Sequence, residues 1–207
     1  MERTRRVLSY LLVACGAFLL YLGAREVWDS HSGQSDAARE FQQDDAAPSA
    51  QPNVEMPRAP ERGDALAKLV IPRLDTELYV VEGDGARELR RGPGHLHGSA
   101  LPGETGNCII AGHRDTHFRV LKDLKKGDDI VLETRNGQYL YRVKSLKVIS
   151  PKDLEPLQPT DDPELNLITC YPFYYVGSAP KRFVVQAQLA GAVSSSAPTV
   201  PTSWSTR

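Results

Sequence analysis

The feature that most constrains the fold is a series of short apolar segments within residues 65–192, each bounded by turn-forming residues. Several alternate apolar and polar side chains, as half-buried strands do. Two of them flank Asn136-Gly137, a strong signal for a hairpin turn. Strands are predicted over residues 67–71, 77–81, 107–113, 129–133, 139–149, 166–170 and 182–189. Many short strands joined by long loops favour a mostly β fold, a closed β-barrel, with a short helix over residues 116–124.

The stretches on either side of this domain contain few large apolar residues. Residues 25–64 are rich in Ser, Gln, Asp, Ala and Pro, so we expect a flexible tether that buries too little surface to fold alone. Residues 193–207 are rich in Ser, Thr and Pro, and we expect a disordered tail. Residues 65–192 are therefore predicted to form the single folded domain.

The N-terminus joins a basic head, residues 1–6, to an uncharged and mostly apolar run, residues 7–24. About 18 apolar residues is close to the shortest length that crosses a bilayer. Arginines before the run favour a cytoplasmic N-terminus. We therefore predict a transmembrane helix over residues 7–24, which would place a single-pass protein in the cell membrane with its domain outside.

Two other interpretations of this run compete with an uncleaved anchor. A cleaved signal peptide needs a small-residue cleavage site, but Arg25-Glu26-Val27-Trp28 follows the run. Leu12-Val13-Ala14-Cys15 looks like a lipobox, but the apolar sequence continues through Ala24, where a lipoprotein would turn polar. The anchor is the interpretation that the length of the apolar run favours.

The candidate nucleophile is Cys170, one of three cysteines and therefore not part of a disulfide-stapled scaffold. It ends an apolar strand, where catalytic side chains are often held. A lone cysteine is more often buried and structural, so a catalytic role requires partners. Cys108, on a neighbouring predicted strand, falls on the face opposite His113 by strand alternation and is expected to pack in the interior.

Two candidate partners for Cys170 lie at strand ends. His113 ends its strand, and a Cys/His pair is the usual way to obtain a nucleophilic sulfur. Arg182 opens the strand after the Cys170 loop, and it reaches the same rim if those two strands are adjacent and antiparallel. A guanidinium there would hold substrate or stabilise an oxyanion. The structural alternatives are a surface histidine and a solvated arginine.

With a formal net charge of −1 and no dense Lys/Arg stripe, nothing indicates nucleic-acid binding.

Three pieces of this sequence together resemble sortases: Leu167-Ile168-Thr169-Cys170, the upstream Ala111-Gly112-His113-Arg114, and Arg182 opening the next strand. The resemblance covers residues 65–189 in one order, and residues 168–183 look most like the class D branch. One departure is Asn166, where the family signature usually opens with Thr. The resemblance implies an eight-stranded sortase-type β-barrel with short helices.

The resemblance also implies a two-step transpeptidation of secreted proteins at the cell surface. Cys170 would cleave a C-terminal Leu-Pro-x-Thr-type sorting signal after Thr, and an amine acceptor such as a cell-wall precursor or a pilin lysine would resolve the thioester. His113 would be the acid and base, and Arg182 would bind the signal and the oxyanion. The residues predicted to line the substrate site are Thr169, His117 and Tyr171.

The resemblance implies no metal and no organic cofactor. Some sortases use calcium, but the sequence shows no compact carboxylate cluster for it. Two other functions stay open: a membrane-tethered thiol peptidase that hydrolyses without transfer, and a non-enzymatic barrel used for binding. The presence of Cys, His and Arg together argues against the last.

Overall fold

The computed structural model describes residues 2–46, 60–175 and 177–194. Its strands are β1 (Ala65–Ile71), β2 (Thr76–Glu82), β3 (Gly94–His95), β4 (Asn107–Gly112), β5 (Asp129–Thr134), β6 (Gly137–Ile149), β7 (Glu164–Tyr171) and β8 (Lys181–Ser194). The helices are α1 (Glu2–Ala46) and α2 (Ala86–Arg91), with 3₁₀-helices over Pro72–Leu74, His117–Asp123 and Glu155–Leu157.

The eight strands close into a barrel in the order β1-β2-β3-β4-β7-β8-β6-β5, which confirms the predicted barrel. Pairs β2–β3 and β4–β7 are parallel, and the other neighbours are antiparallel. The predicted hairpin is present, because Thr134 pairs with Gly137 across a two-residue turn. Gly137 has φ +146°, which L side chains rarely adopt. The predicted short helix is the 3₁₀-helix His117–Asp123.

The barrel is filled by alternate side chains of its strands, as on β1, where every second residue is buried. Phe118 and Leu121 of the 3₁₀-helix join this core from outside the sheet. The largest fully buried side chains are Tyr141, Phe118, Leu69, Ile71, Ile110, Leu121, Ile130, Leu132, Leu165 and Leu167. This continuous core holds β4, β7 and β8 in a fixed register.

The second half of α1 docks on the barrel. The Gln34 side-chain amide donates to Tyr79 O at 2.9 Å and Arg91 O at 2.8 Å, and accepts from Tyr79 N at 2.8 Å. Six residues further along α1, the Glu40 carboxylate forms an ion pair with Arg91 Nη2 at 3.0 Å. The buried Phe41 ring lies 6.1 Å from the Tyr79 ring. These contacts fix the helix against β2 and α2.

Part of the predicted tether, residues 25–64, is helical in the structure. Helix α1 continues to Ala46, and polar side chains rather than an apolar stripe hold much of it to the barrel. Residues 47–59 lie outside the described residues. At the other end, β8 extends to Ser194, so the predicted tail begins as a strand, and residues 195–207 also lie outside the described residues.

The predicted transmembrane segment, residues 7–24, lies within α1. In the part of the chain that the structure describes, no helix combines the length and the apolar character needed to span a bilayer.

A buried polar network links β2 to β3 and to the segment before β4. Glu82 Oε2 lies 2.6 Å from His95 Nδ1, and Glu82 Oε1 lies 2.8 Å from His97 Nδ1. His95 Nε2 lies 2.9 Å from Ser99 Oγ and 3.0 Å from Ala100 O. Burial raises the pKa of Glu82, but hydrogen bonds with the two histidines outweigh burial and leave this pKa below its ordinary value.

We expect Glu82→Gln to lower the free energy of unfolding at pH 7 by about 2 kcal/mol, because it weakens two hydrogen bonds of a buried ion. A carboxylate whose pKa is depressed on folding stabilises the protein above its unfolded pKa of about 4.3, and this contribution is lost as the pH falls through the folded pKa. Urea unfolding from pH 7 to pH 3 measures it. The difference in the free energy of unfolding between variant and wild type should shrink below pH 4. A difference that stays constant with pH would contradict a stabilising Glu82 carboxylate.

Candidate active site

Cys170 and Arg182 lie directly opposite each other on β7 and β8. The two strands are antiparallel, and the register pairs Cys170 with Arg182 and Thr169 with Phe183. The adjacency that the sequence argument required is therefore present. The loop between them, residues 172–180, begins and ends one residue beyond this pair, at the paired residues Tyr171 and Lys181.

His113 lies level with Cys170 on the other side. β4 runs parallel to β7, and their last registered pair is Gly112 with Thr169. His113 is the next residue of its chain, and Cys170 is the next residue of β7. Neighbouring strands are about 4.8 Å apart, so continuing this register by one residue puts the two backbones about one strand spacing apart. The order across the wall is His113, Cys170, Arg182.

These three residues share the outer face of the barrel wall. Successive side chains of a strand point to opposite faces. The inner face of β4, β7 and β8 is marked by core residues: Cys108, Ile110, Leu165, Leu167 and Val185. His113, Cys170 and Arg182 have the opposite parity. His113 is exposed, and Cys170 and Arg182 are half-buried.

Thr169 has the inner-face parity, although it was predicted to line the substrate site. It is buried, and its Oγ1 donates to Gly112 O at 2.7 Å. This hydrogen bond ties β7 to β4 one residue before Cys170 and one residue before His113. Thr169 therefore contacts the neighbouring strand β4, close to the strand ends that lead to His113 and Cys170.

The segment after His113 is packed closely on the strand that carries it. A Cβ at Gly112 would lie 2.7 Å from the Phe118 ring, so only glycine lets the ring approach. Phe118 N also donates to His113 O at 3.0 Å. The group that approaches Gly112 is therefore the Phe118 ring.

His117, predicted to line the site, is buried at the start of the 3₁₀-helix. Burial lowers its pKa, a hydrogen bond with the backbone of Arg90 opposes this, and the nearby His113 lowers the pKa further. His117 is therefore held in the neutral form beside His113. The structure therefore brings His117 close enough to His113 for their charges to interact.

Tyr171, the third predicted substrate residue, belongs to an aromatic cluster at the base of the loop. Its ring stacks on Phe183 at 6.2 Å and meets Phe173 edge-on at 5.9 Å, and Phe173 lies 5.2 Å from Phe183. Such pairs stabilise beyond their buried area. The cluster fixes both ends of the loop next to Cys170 and Arg182.

The Arg182 guanidinium is turned onto its own loop. Its Nη1 donates to Lys181 O at 3.0 Å and, more weakly, to Ala179 O at 3.4 Å. Both acceptors are neutral carbonyl groups, so these two contacts do not neutralise the charge of Arg182.

Cys108 is not part of this site. It is buried in the apolar core, as predicted, and burial raises the pKa of its thiol. Such a thiol stays protonated and unreactive. Cys15, Cys108 and Cys170 are all free.

Comparison with known proteins identifies relatives over the whole barrel. The sortase domain model matches residues 69–190. Sortase D of Bacillus subtilis is 41% identical over 127 residues, which are 61% of this chain and 64% of that protein. Sortase SrtE1 of Streptomyces coelicolor is 30% identical over 190 residues, 81% of this chain and 53% of that protein. Each alignment thus spans less than two thirds of the curated relative.

A solved structure resembles this one closely. The Clostridium perfringens sortase D5 transpeptidase has a TM-score of 0.68 at 28% sequence identity, with 77% of this chain and 99% of that chain covered. The eight-stranded barrel and its connections are therefore those of a sortase fold. The class D relatives agree with the branch that residues 168–183 resemble.

Proposed function

Because the chain belongs to the sortase family, we propose that it is a cysteine transpeptidase that acts on secreted proteins with a C-terminal sorting signal. The observation that carries this proposal is the row formed by His113, Cys170 and Arg182 on one face of three registered strands. A nucleophile, an acid–base group and an oxyanion partner in one row are what acyl transfer through a thioester requires.

The first half-reaction cleaves the signal. The Cys170 thiolate attacks the carbonyl carbon of the peptide bond after Thr, and the carbonyl oxygen becomes an oxyanion that Arg182 stabilises. His113 gives a proton to the leaving nitrogen, the C–N bond breaks, and the C-terminal fragment leaves as an amine. The remaining acyl group is held as a thioester on Cys170.

The second half-reaction transfers the acyl group. An amine attacks the thioester carbon, His113 accepts a proton from the attacking nitrogen, and the C–S bond breaks to restore the thiolate. The product is a new amide bond between the substrate protein and the acceptor. Water in place of the amine gives hydrolysis, so the same residues serve a thiol peptidase if no amine reaches the site.

The substrate expected from the class D resemblance is Leu-Pro-x-Thr followed by Ala or Gly. The acceptor belongs to the class of primary amines, for which a cell-wall precursor or a pilin lysine are the two candidates. The proposed substrate-binding contacts include Tyr171 at the loop base and His117 near His113, with Thr169 holding β7 to β4.

The experiment that tests this function mixes the protein with a panel of Leu-Pro-x-Thr peptides, with and without added primary amines. Liquid chromatography and mass spectrometry then identify the products. The proposal expects an amide of the Thr-terminated fragment when amine is present and slow hydrolysis without it. Hydrolysis alone at every amine concentration would assign the thiol peptidase instead.

We further propose that residues 7–24 anchor the chain in the cell membrane, with the basic head in the cytoplasm and the barrel outside. Support comes from the uncharged run itself and from the exposed large apolar side chains that α1 carries between Tyr10 and Leu22. Such a continuous apolar surface is uncommon on a protein in water. Facing lipid would remove this surface from water.

Deletion of residues 1–28 is expected to move the protein from the membrane fraction to the soluble fraction. The apolar run supplies the membrane affinity, whereas the barrel presents a mixed polar surface. Fractionation and salt washing of cells that express either form measure the difference. A deletion product that stays membrane-bound after a high-salt wash would contradict the single-anchor proposal.

A further inference from the structure

The loop of residues 172–180 connects Cys170 to Arg182, and its outer part is held by the segment that begins at His113. Tyr174 and Tyr175, near the middle of the loop, are 69% and 48% exposed. The aromatic cluster described above fixes only the ends of the loop. The contacts to these exposed residues come from Arg114 and Arg119.

Arg114, the residue after His113, makes the main contact with the loop backbone. Its Nη2 donates to Tyr175 O at 2.8 Å and to Gly177 O at 3.0 Å. Its Cζ lies 5.6 Å from the centre of the Tyr175 ring, a cation–π distance. The other terminal nitrogen, Nη1, is buried. Gly177 has φ +96°, so the carbonyl that Arg114 binds belongs to a turn that favours glycine.

Arg119, in the 3₁₀-helix, adds a second contact from the same side. Its Cζ lies 5.0 Å from the centre of the Tyr174 ring. A hydrogen bond with Arg119 and the charge of this guanidinium lower the pKa of Tyr174. This contact reaches a side chain only, whereas Arg114 binds two carbonyl groups of the loop backbone. Arg114 therefore does more to fix the course of the loop.

We propose that Arg114 is a positioning residue that orders the loop between Cys170 and Arg182 before substrate binds. This inference rests on the proposed transpeptidase function. A peptide that reaches the Cys170 thiol on the outer face passes beside this loop. Ordering a loop on binding costs conformational entropy, and a loop that is already ordered avoids that cost.

The expected consequence is a specific split between the kinetic constants. His113, Cys170 and Arg182 are aligned by strand register, which Arg114 does not touch, so the chemical step should change little. Loss of the loop contact should instead weaken peptide binding. Arg114→Ala removes hydrogen bonds that a charged donor makes to the loop. We expect this loss to raise KM about tenfold and to leave kcat within about threefold of wild type.

The experiment compares Arg114→Ala and Arg114→Lys with the control Arg142→Ala. Arg142 is a surface residue of β6 whose Nε donates to Asp129 at 2.8 Å, so the control removes a charge and an ion pair elsewhere. Arg114→Lys keeps the charge but replaces the planar fork by a single ammonium, and an intermediate KM is expected. Steady-state kinetics with one Leu-Pro-x-Thr peptide give kcat and KM for each variant.

Hydrogen exchange of the loop amides is the second measurement, because it needs no activity. The amides of residues 173–175 and 177–179 should exchange faster in Arg114→Ala, while those of β4, β7 and β8 keep their protection. If Arg114→Ala fails to fold, Arg114→Lys carries the same test.

Unchanged exchange in the loop together with an unchanged KM would overturn the inference. Loss of kcat with faster exchange throughout the barrel would also overturn it, since Arg114 would then be a structural residue. If wild type cleaves no peptide of the panel, the proposed function fails. The exchange measurement then still decides whether Arg114 orders the loop.

Discussion

Replacement of Cys170 by alanine is expected to abolish cleavage of a Leu-Pro-x-Thr peptide, a loss of at least about 1,000-fold in kcat. The thiolate is the group that forms the covalent bond, and neither His113 nor Arg182 can replace it. Cys170 is half-buried at the outer face, so the smaller side chain removes little packing, and the domain should keep its unfolding temperature. Peptide cleavage and thermal unfolding measured on one preparation separate the two effects.

Cys108→Ala is the matched control, because it deletes the same sulfur from the same barrel. Cys108 lies in the apolar core on the inner face, and its buried thiol is unreactive. A small cavity there should cost about 1 kcal/mol of stability and leave most of the activity. If Cys108→Ala were as inactive as Cys170→Ala while still folded, the assignment of the two faces would be wrong.

His113→Ala is expected to lower kcat by about 100- to 10,000-fold, the range for removal of a general acid–base group. His113 is the imidazole level with Cys170, and the leaving nitrogen needs a proton before the C–N bond breaks. The variant should also lose part of the bell-shaped dependence of kcat/KM on pH, which a merely structural residue would not alter. Initial rates between pH 5 and pH 10 measure both effects.

The control for His113→Ala is His97→Ala, which removes another exposed histidine. The His97 imidazole pairs with Glu82 at 2.8 Å and belongs to the β2–β3 network rather than to the row at Cys170. Its removal should leave the pH profile unchanged. A wild-type pH profile in His113→Ala, or equal losses in the two variants, would contradict the role given to His113.

Much of the barrel could be predicted because its long strands bury one face and so show a two-residue period. β1 and β5 alternate in this way, and the turn between β5 and β6 is Asn136-Gly137. β3 holds only Gly94 and His95, too few residues to show any period, and no strand was predicted there. Helix α2 was missed for a similar reason, since its six residues contain no buried side chain.

The docked half of α1 could not be predicted from hydrophobic pattern. Few of its side chains are apolar and buried, chiefly Ala37 and Phe41. Its specific contacts come from Gln34 and Glu40, which bind backbone groups and an arginine of the barrel. Polar residues of this kind in a Ser-, Gln- and Asp-rich stretch resemble a linker until their partners are known.

The row of His113, Cys170 and Arg182 was accessible from sequence because each residue stands at a strand end. What sequence could not show is which strands are neighbours, since β4 and β7 lie far apart in the chain and pair in parallel. The contact of Arg114 with the loop was missed because its partners are the carbonyl groups of Tyr175 and Gly177, which carry no side-chain signal.

Asn166, the departure from the family signature, has a structural role of its own. Its side-chain nitrogen donates to Asn107 Oδ1 at 2.7 Å within the barrel wall. Asn107 in turn donates to Pro156 O and Gln158 O, both at 2.9 Å. These contacts tie β7 and β4 to the segment before β7. The substitution lies four residues before Cys170 and leaves the row of catalytic candidates intact.

Cys170 is proposed to form a thioester with the substrate, and mass spectrometry of the trapped protein detects this bond itself. The full chain is mixed with a Leu-Pro-x-Thr peptide without added amine, quenched in acid, digested and sequenced. The account predicts the mass of the peptide up to Thr on the fragment that contains Cys170, removable by hydroxylamine. Cleaved peptide with no such adduct, or an adduct on Cys15 or Cys108, would contradict it.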